Sequence, residues 1–257
     1  MNFFASFRSD QVLSQLIAEP DPASPNAQKL VDKLKGAGNR AVPKIIDALA
    51  LSDKTHTMVL VDILGSLVND KNLDMYREGL ADGNERVVSG TAWALSSSTD
   101  YNANALLQFF DDDEVSKPAL IEVLRVHKDD LSVHELLQRA YECEPKEKAA
   151  IFQIIQDTIK PDMVPDLIAR MGGKDPVIKI HLMNLLSKFD KHEITAAVEG
   201  QLRDSNKMVR SAALKVLGTR GQDINVGKVA DLLTDPDLDV QGQAVDVLVK
   251  ATHPDTV

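Results

Sequence analysis

The sequence predicts an all-α protein, a right-handed α-solenoid of stacked helix pairs, on the strength of three observations. An apolar pair, Val216-Leu217 in one copy, recurs along the chain at steps of 31 residues. Each period also carries a stripe of apolar residues at helical spacing, and each stripe follows an Asp, Asn or Glu. A fixed period of this length is typical of architectures in which repeated units stack on their neighbours.

Two independent columns of residues set the register of seven repeats. The first column holds Ile63-Leu64, Ala94-Leu95, Val123-Leu124, Ile154-Ile155, Leu185-Leu186, Val216-Leu217 and Val247-Leu248. The second column holds Leu49, Leu80, Phe109, Ala140, Met171, Leu202 and Leu233. Both columns contain one step of 29 residues at the same place. A two-residue deletion is therefore expected in the connection between Leu95 and Phe109.

Each repeat is predicted to contain two helices, of which the second has the clearer pattern. In one copy the apolar residues Val209, Ala213 and Val216 share one helical face. The residue before each second helix can accept hydrogen bonds from the free N–H groups of the first turn. These predicted caps are Asp53, Asn84, Asp113, Glu144, Asp175, Asn206 and Asp237. Pro145 and Pro176 follow at the first helical position, where proline costs no hydrogen bond.

Residues 1–40 are predicted to form capping helices rather than a repeat. Helices are expected at 9–18 and 26–34, and the connection 19–25 contains three prolines. The segment 1–8 holds three of the seven phenylalanines and lacks the basic start and long apolar core of a signal peptide. We interpret it either as a cap on the first helices or as a docking segment for a partner or another copy.

Residues 41–257 are predicted to hold the seven repeats. The last five residues, 253–257, match residues 160–164, three periods earlier, where a first helix begins. We therefore expect the repeats to continue in a longer protein. A short natural tail is the alternative interpretation.

The stretch Asp204 to Gly218 resembles the HEAT repeat, because an Asp precedes Val-Arg, Ala-Ala-Leu and Leu-Gly on the second helix. Pro43 and Pro165 in the first helices fit the same pattern. Since the period is short for this family, the repeats are similar to the compact bacterial HEAT-like subtype that also occurs in phycobilin lyases. The resemblance covers roughly Ala41 to Val257. It implies a superhelix whose second helices form a concave inner face.

Composition narrows the classes of function. The net charge is −10, and residues 51–150 carry 19 acidic and 10 basic side chains. A nucleic-acid ligand needs clustered Lys and Arg, so it is not expected. The single cysteine, Cys143, excludes an internal disulfide framework and indicates a reducing compartment. No apolar run is long enough for a membrane span. We expect a cytoplasmic, bacterial protein without a cofactor.

A column of four cations is the first candidate binding surface. It comprises Lys117, Lys148, Lys179 and Arg210, each 31 residues apart. These side chains could bind an anionic partner. Six positions earlier lies an acidic column that includes Asp82, Asp111, Glu142, Asp204 and Asp235. The alternative is therefore a structural ladder of ion pairs between repeats.

The acidic run and the single tryptophan are the other candidates. The acidic run is Asp111, Asp112, Asp113 and Glu114. It is interpreted either as a patch for a basic partner or as solvated turns and a helix cap. Trp93 occupies a column that is otherwise polar, with Asp62, Glu122, Gln153, Asn184, Lys215 and Asp246. It should face solvent and anchor a partner, unless its ring folds over the space beside Gly90 and Ala92.

The favoured function is a non-catalytic scaffold or regulatory module that binds another protein or another domain of the same chain. Two enzymes with HEAT-like repeats are the alternatives, a phycobilin lyase and deoxyhypusine hydroxylase. The second family is similar in fold and uses four His-Glu pairs to hold two irons. This chain has two such pairs, His134-Glu135 and His192-Glu193. They are 58 residues apart and so fall at different places in their repeats.

Overall fold

The computed structural model describes residues 3–221 and 224–252, and the side chains of residues 9–221 and 224–251. Within this part of the chain all regular secondary structure is helical. Tertiary contacts divide the chain into two compact units, Met1–Thr158 and Ile159–Val257. None of the described helices has the length and apolar character of a membrane span.

The first unit contains nine α-helices and three 3₁₀ helices among its described residues. They are α1 Phe3–Ile17, α2 Pro25–Ala37, the 3₁₀ helix Gly38–Arg40, α3 Val42–Ala48, α4 Lys54–Leu67, α5 Leu73–Leu80, α6 Glu85–Ser97, the 3₁₀ helix Ala103–Asp111, α7 Lys117–Val126, the 3₁₀ helix Lys128–Asp130, α8 Val133–Glu142 and α9 Pro145–Thr158. The second helices pack side by side, α4 on α6, α6 on α7 and α7 on α9. The first helices form another layer, in which α3 packs on α5.

The second unit repeats this arrangement. Its described elements are the 3₁₀ helix Pro161–Met163, α10 Val164–Arg170, α11 Pro176–Leu186, α12 His192–Gly200, the 3₁₀ helix Gln201–Arg203, α13 Lys207–Gly218, α14 Val226–Ala230, the 3₁₀ helix Asp231–Thr234 and α15 Leu238–Thr252. Here α13 packs between α11 and α15, and α10 packs on α12. The predicted all-α solenoid of helix pairs is thus confirmed. Its right-handed sense stays a prediction.

Helix capping agrees with the sequence at five of the seven predicted positions. Each of these side chains accepts a hydrogen bond from a backbone N–H in the first turn; they are Asp53, Asn84, Asp175, Asn206 and Asp237. At α9 the roles are reversed. The backbone N–H of Glu144, the predicted cap, donates to the side-chain Oε2 of Glu147 at 3.3 Å. The predicted starts at Pro145 and Pro176 are confirmed.

The prediction that Asp113 caps the next second helix is wrong, because α7 begins three residues later than the column requires. Ser116 occupies the N-cap position. The connection before α7 does not continue as helix, since Val115 is buried and Ser116 N–H donates to the carbonyl of Leu80 at 2.9 Å. Asp113 lies in the exposed turn before it.

The shortened repeat also changes its first helix. Residues Ala103–Asp111 form a 3₁₀ helix of nine residues. A 3₁₀ helix rises about 2.0 Å per residue, against about 1.5 Å in an α-helix. Nine residues therefore reach about as far as twelve in an α-helix. The tighter helix offers a physical reason why the array tolerates the two-residue deletion.

The core consists of the two apolar columns. Leu64, Leu95 and Leu124 of the first column are fully buried, as are Leu49 and Leu80 of the second. The last repeat departs from the pattern, because Leu233 is 41% exposed.

Candidate functional site

A groove lies between α4 and α6, and we name it the Trp93 groove. It encloses about 500 Å³ and is lined by residues that include Asp53, Lys54, Met58, Glu85, Arg86 and Trp93. Met58 and Trp93 are 53% and 51% exposed. Trp93 therefore faces solvent, and a second large apolar side chain lies in the same groove.

Gly90, one helical turn before Trp93, packs closely against the preceding repeat. Gly90 is buried, and a Cβ atom at this position would lie 2.8 Å from Leu49 Cδ1. The space beside Gly90 is thus filled by Leu49 from the preceding repeat. The interpretation in which the indole folds over Gly90 stays an alternative, because Gly90 also lines the groove beside Trp93.

A second groove lies on the other side of α6, against α7, and we name it the acidic groove. It encloses about 540 Å³, and Asp82, Glu85, Val88, Pro118, Ile121 and Glu122 are among its lining residues. Glu85 lines both grooves and therefore stands on the ridge between them. Since these two grooves share α6, they form one surface across three neighbouring second helices.

The two grooves differ in charge. The lining of the Trp93 groove includes two cations, Lys54 and Arg86, and two carboxylates, Asp53 and Glu85. No Lys or Arg is among the described residues that line the acidic groove. Glu122 pairs with Arg125 at 2.9 Å. In the described structure Asp82 and Glu85 have no ion-pair partner, so negative charge remains uncompensated on this side of α6.

In the second unit, two members of the basic column lie in ion pairs between repeats. Lys179 Nζ lies 2.6 Å from Asp204 Oδ2, and both side chains are mostly buried. Arg210 contacts both carboxylate oxygens of Asp235, at 2.7 and 2.8 Å, and donates to the carbonyl of Asp204 at 2.9 Å. Gln241 donates to the carbonyl of Asp235 at 2.6 Å. This geometry favours the structural ladder over an exposed anion-binding surface.

The two remaining members of the column lie in the first unit and are also engaged. Lys117 Nζ donates to the carbonyl of Asp112 and lies 3.5 Å from that of Phe109. Lys148 is partly buried on α9 and is not free. Binding of a partner by the four cations stays a prediction.

The acidic run is divided between ion pairs and solvent. Asp111 Oδ1 lies 2.5 Å from Arg139 Nη1, and that guanidinium stacks over the Phe110 ring at 5.4 Å. Asp112 pairs with Arg77. The N–H of Glu114 and the guanidinium of Arg77 together lower the pKa of Asp112, although partial burial opposes this shift.

Asp113 and Glu114 are exposed and have no ion-pair partner in the described structure, whereas Asp111 is exposed but paired with Arg139. A partner would therefore contact two carboxylates without an ion pair in the acidic run, rather than four. Whether they bind one stays a prediction.

The residues of the enzyme alternatives do not assemble into a metal site within the described structure. His134 lies on α8, and His192 begins α12. No group of three His, Cys, Asp or Glu side chains suited to a metal ion occurs among the residues described. Cys143 is buried, and burial together with the Glu147 carboxylate raises the pKa of its thiol. The thiol is therefore a weak nucleophile.

Comparison with known proteins gives a likeness of fold alone. No protein-family model matches the sequence, and no curated protein matches it. Human deoxyhypusine hydroxylase in complex with glycerol is similar at 17% identity and a TM-score of 0.39, over 98% of both chains. A designed armadillo repeat protein is similar at 13% identity and a TM-score of 0.30, over 94% of this chain and 99% of that one.

A second designed armadillo repeat protein, in complex with the peptide (KR)4, is similar at 13% identity and a TM-score of 0.28. It covers 94% of this chain and 98% of its own. Values this low transfer no activity, metal or ligand to this chain. The function must be argued from its own residues.

Sequence analysis identified Trp93 as a candidate but did not identify Met58, Glu122 and Asp82, which line the same two grooves. Met58 lies one repeat and one helical turn before Trp93, so the repeat register could have identified it. Glu122 shares the column of Trp93, and Asp82 belongs to the acidic column. The missing information was the spacing of α4, α6 and α7, which decides where grooves open.

Proposed function

We propose that this chain is a non-catalytic repeat scaffold that binds another protein through the surface formed by α4, α6 and α7. The observation that carries the proposal is the pair of half-exposed side chains, Met58 and Trp93, in one groove of about 500 Å³. Tryptophan is enriched among the residues that dominate binding energy at protein interfaces. Methionine adapts its shape to different partners.

Covering the exposed apolar surface of this groove can supply one anchoring contact of an interface. Trp side chains bury about 150–250 Å² when covered, and about half of that remains exposed on Trp93. At about 25 cal/mol per Å², covering the remaining half contributes about 2.5 kcal/mol. Met58 adds a similar but smaller amount. Such a pair can serve as the central contact of an interface with a polar rim.

The contacts of the four-cation column support placing the binding site at the Trp93 groove rather than at that column. Lys179 and Arg210 are committed to carboxylates of the next repeat. Lys117 is committed to backbone carbonyls. By contrast, Lys54, Arg86 and Glu85 at the Trp93 groove have no ion pair in the described structure, so a partner can use them without breaking internal contacts.

The finer assignments are part of the same proposal. The pattern at Asp204 to Gly218 supports membership of the compact HEAT-like repeats. The low cysteine content supports a reducing compartment such as the bacterial cytoplasm, because Cys143 is the single cysteine of the chain. The partner is another protein or another domain of the same chain.

The proposal is tested by selecting peptides from a random display library on the purified protein. The same selection is run on Trp93→Ala and on Lys215→Ala, which alters the equivalent position of a repeat in the second unit. We expect peptides that are enriched on the wild type and on Lys215→Ala but lost on Trp93→Ala. Enrichment that is equal on all three proteins, or no enrichment on any, would overturn the proposal.

A further inference from the structure

The geometry points to a specific class of partner for these two grooves: an extended segment with one large apolar side chain and, three or four residues away, a Lys or Arg. This inference rests on the proposed function and adds the chemistry of the segment. The apolar side chain would occupy the Trp93 groove, and the cation would lie beside Glu85 and the acidic groove.

The apolar requirement follows from the Trp93 groove. Its two large exposed apolar groups are the indole of Trp93 and the thioether of Met58. Its charged residues occur as two cations and two carboxylates, so the groove has no strong charge preference. A large apolar side chain is the group that gains most by covering these surfaces.

The basic requirement follows from the acidic groove. Its charged lining residues are Asp82, Glu85 and Glu122, and the described lining includes no cation. Glu122 is paired with Arg125, whereas Asp82 and Glu85 are exposed without an ion-pair partner. An incoming Lys or Arg would supply the missing charge, and charge-assisted hydrogen bonds to carboxylates are among the stronger polar contacts.

The surrounding charge acts in the same direction. Residues 51–150 account for −9 of the net charge of −10. A negative field of this kind attracts basic segments during approach and repels acidic ones. The contribution should weaken as salt is added, because exposed charges are screened.

The spacing follows from α6, which carries both Glu85 and Trp93. These residues are eight positions apart, so their backbone positions differ by about 12 Å along the helix axis. An extended chain advances about 3.3 Å per residue. The apolar side chain and the cation should therefore be separated by three or four residues.

Three labelled nonapeptides in a Gly-Ser background test the inference by fluorescence anisotropy. The first carries one Leu and, three and four residues later, two Arg. The second replaces both Arg with Glu, and the third replaces the Leu with Ser. We expect the second and third peptides to bind at least about tenfold more weakly than the first, a loss of about 1.4 kcal/mol. Equal binding of all three peptides would overturn the inference.

Two double variants that remove the same charge test where the cation of the peptide binds. Asp82→Asn combined with Glu85→Gln should weaken the first peptide about tenfold and reduce its salt dependence. Asp113→Asn combined with Glu114→Gln removes the same charge from the acidic run and should leave its affinity unchanged. The opposite pattern would place the basic site at the run and overturn the inference. Circular dichroism verifies that both variants retain their helices.

The two proposals can fail separately. If library selection yields peptides that depend on Trp93 but lack Lys and Arg, the proposed function stands and this inference is wrong. If selection yields no peptide that depends on Trp93, both are wrong.

Discussion

His56 is a buried side chain whose two ring nitrogens both face hydrogen-bond acceptors. Nδ1 lies 2.9 Å from Asp53 Oδ1, and Nε2 lies 3.0 Å from the carbonyl oxygen of Glu19. Because a carboxylate and a carbonyl only accept, both bonds form at once only with a doubly protonated ring. Burial disfavours that charge, but the bonds to Asp53 and Glu19 outweigh it and raise the pKa of His56 above 6.5.

Stability should therefore depend on the protonation of His56. A raised pKa in the folded state means that the contribution is fully present below about pH 6.5 and is lost as the pH rises through the higher folded value. Denaturant titrations from about pH 5 to about pH 9 should show this loss in the wild type. His56→Gln cannot titrate and should lack it. Identical pH profiles for the two proteins would refute the prediction.

Arg210 is the clearest case of a charged residue that the fold requires. It is mostly buried and contacts both oxygens of Asp235, whose side chain is only 2% exposed. The hydrogen bonds from Arg210 lower the pKa of Asp235, against the effect of burial. Arg210→Met would leave this carboxylate buried without its cation and should cost about 3–5 kcal/mol of unfolding free energy.

Lys207 provides the matched control for Arg210. It pairs with Asp237 at 2.8 Å but is 58% exposed. Lys207→Met should therefore destabilise the protein much less than Arg210→Met. Chemical denaturation of both variants measures the difference. Similar losses would show that burial does not distinguish the two ion pairs.

The second helices depend on their caps to different degrees. Asn206 Oδ1 accepts from Met208 N–H at 2.8 Å, so Asn206→Ala should cost about 0.5–2 kcal/mol. Asp113 occupies the same column but lies outside α7, so Asp113→Ala should change stability by no more than about 0.5 kcal/mol. Thermal and denaturant unfolding compare the two variants. A cost at Asp113 equal to that at Asn206 would restore its predicted role as a cap.

The position of a helix in the array determines how much its apolar residues contribute to stability. Leu214 on α13 is fully buried, whereas Val245, one period later on α15, is 47% exposed. Leu214→Ala should cost about 2–5 kcal/mol. Val245→Ala should cost no more than about 0.5 kcal/mol. If the two truncations destabilise equally, Val245 is covered in solution by a group outside the described residues.

Most of the helices could be predicted from the sequence, because each second helix carries a cap and a stripe that agree. Pro176, for example, begins α11 directly after its cap Asp175. The start of α7 could not be predicted, because it depends on a tertiary bond from Ser116 to Leu80. The 3₁₀ form of Ala103–Asp111 likewise depends on the distance that the shortened repeat must cover.

At the scale of the whole molecule, the fixed period predicts what each repeat buries but not what it binds. Packing between repeats follows from residues that recur, such as Leu64 and Leu95. The candidate site depends on residues that break the pattern, above all Trp93 in a polar column. The column predicted its exposure, which the structure describes. The grooves beside Trp93 depend on the spacing between neighbouring helices. A single column of residues does not predict that spacing.

A strongly acidic repeat protein can still have a specific binding surface. Many of its carboxylates are already used within the fold, as Asp204 and Asp235 show. Those that remain free beside an apolar groove are few, and Glu85 stands between the two grooves. Specificity would then come from one apolar contact and one cation at a fixed spacing, rather than from net charge alone.

The most direct test of the binding groove is the emission spectrum of Trp93, the single tryptophan of the chain. The protein is titrated with the peptide that carries Leu and two Arg, while anisotropy of the peptide label records binding. The account predicts a shift of the emission to shorter wavelength that saturates together with the anisotropy, because the half-exposed indole becomes covered. Binding by anisotropy with an unchanged emission spectrum would place the peptide elsewhere and contradict the account.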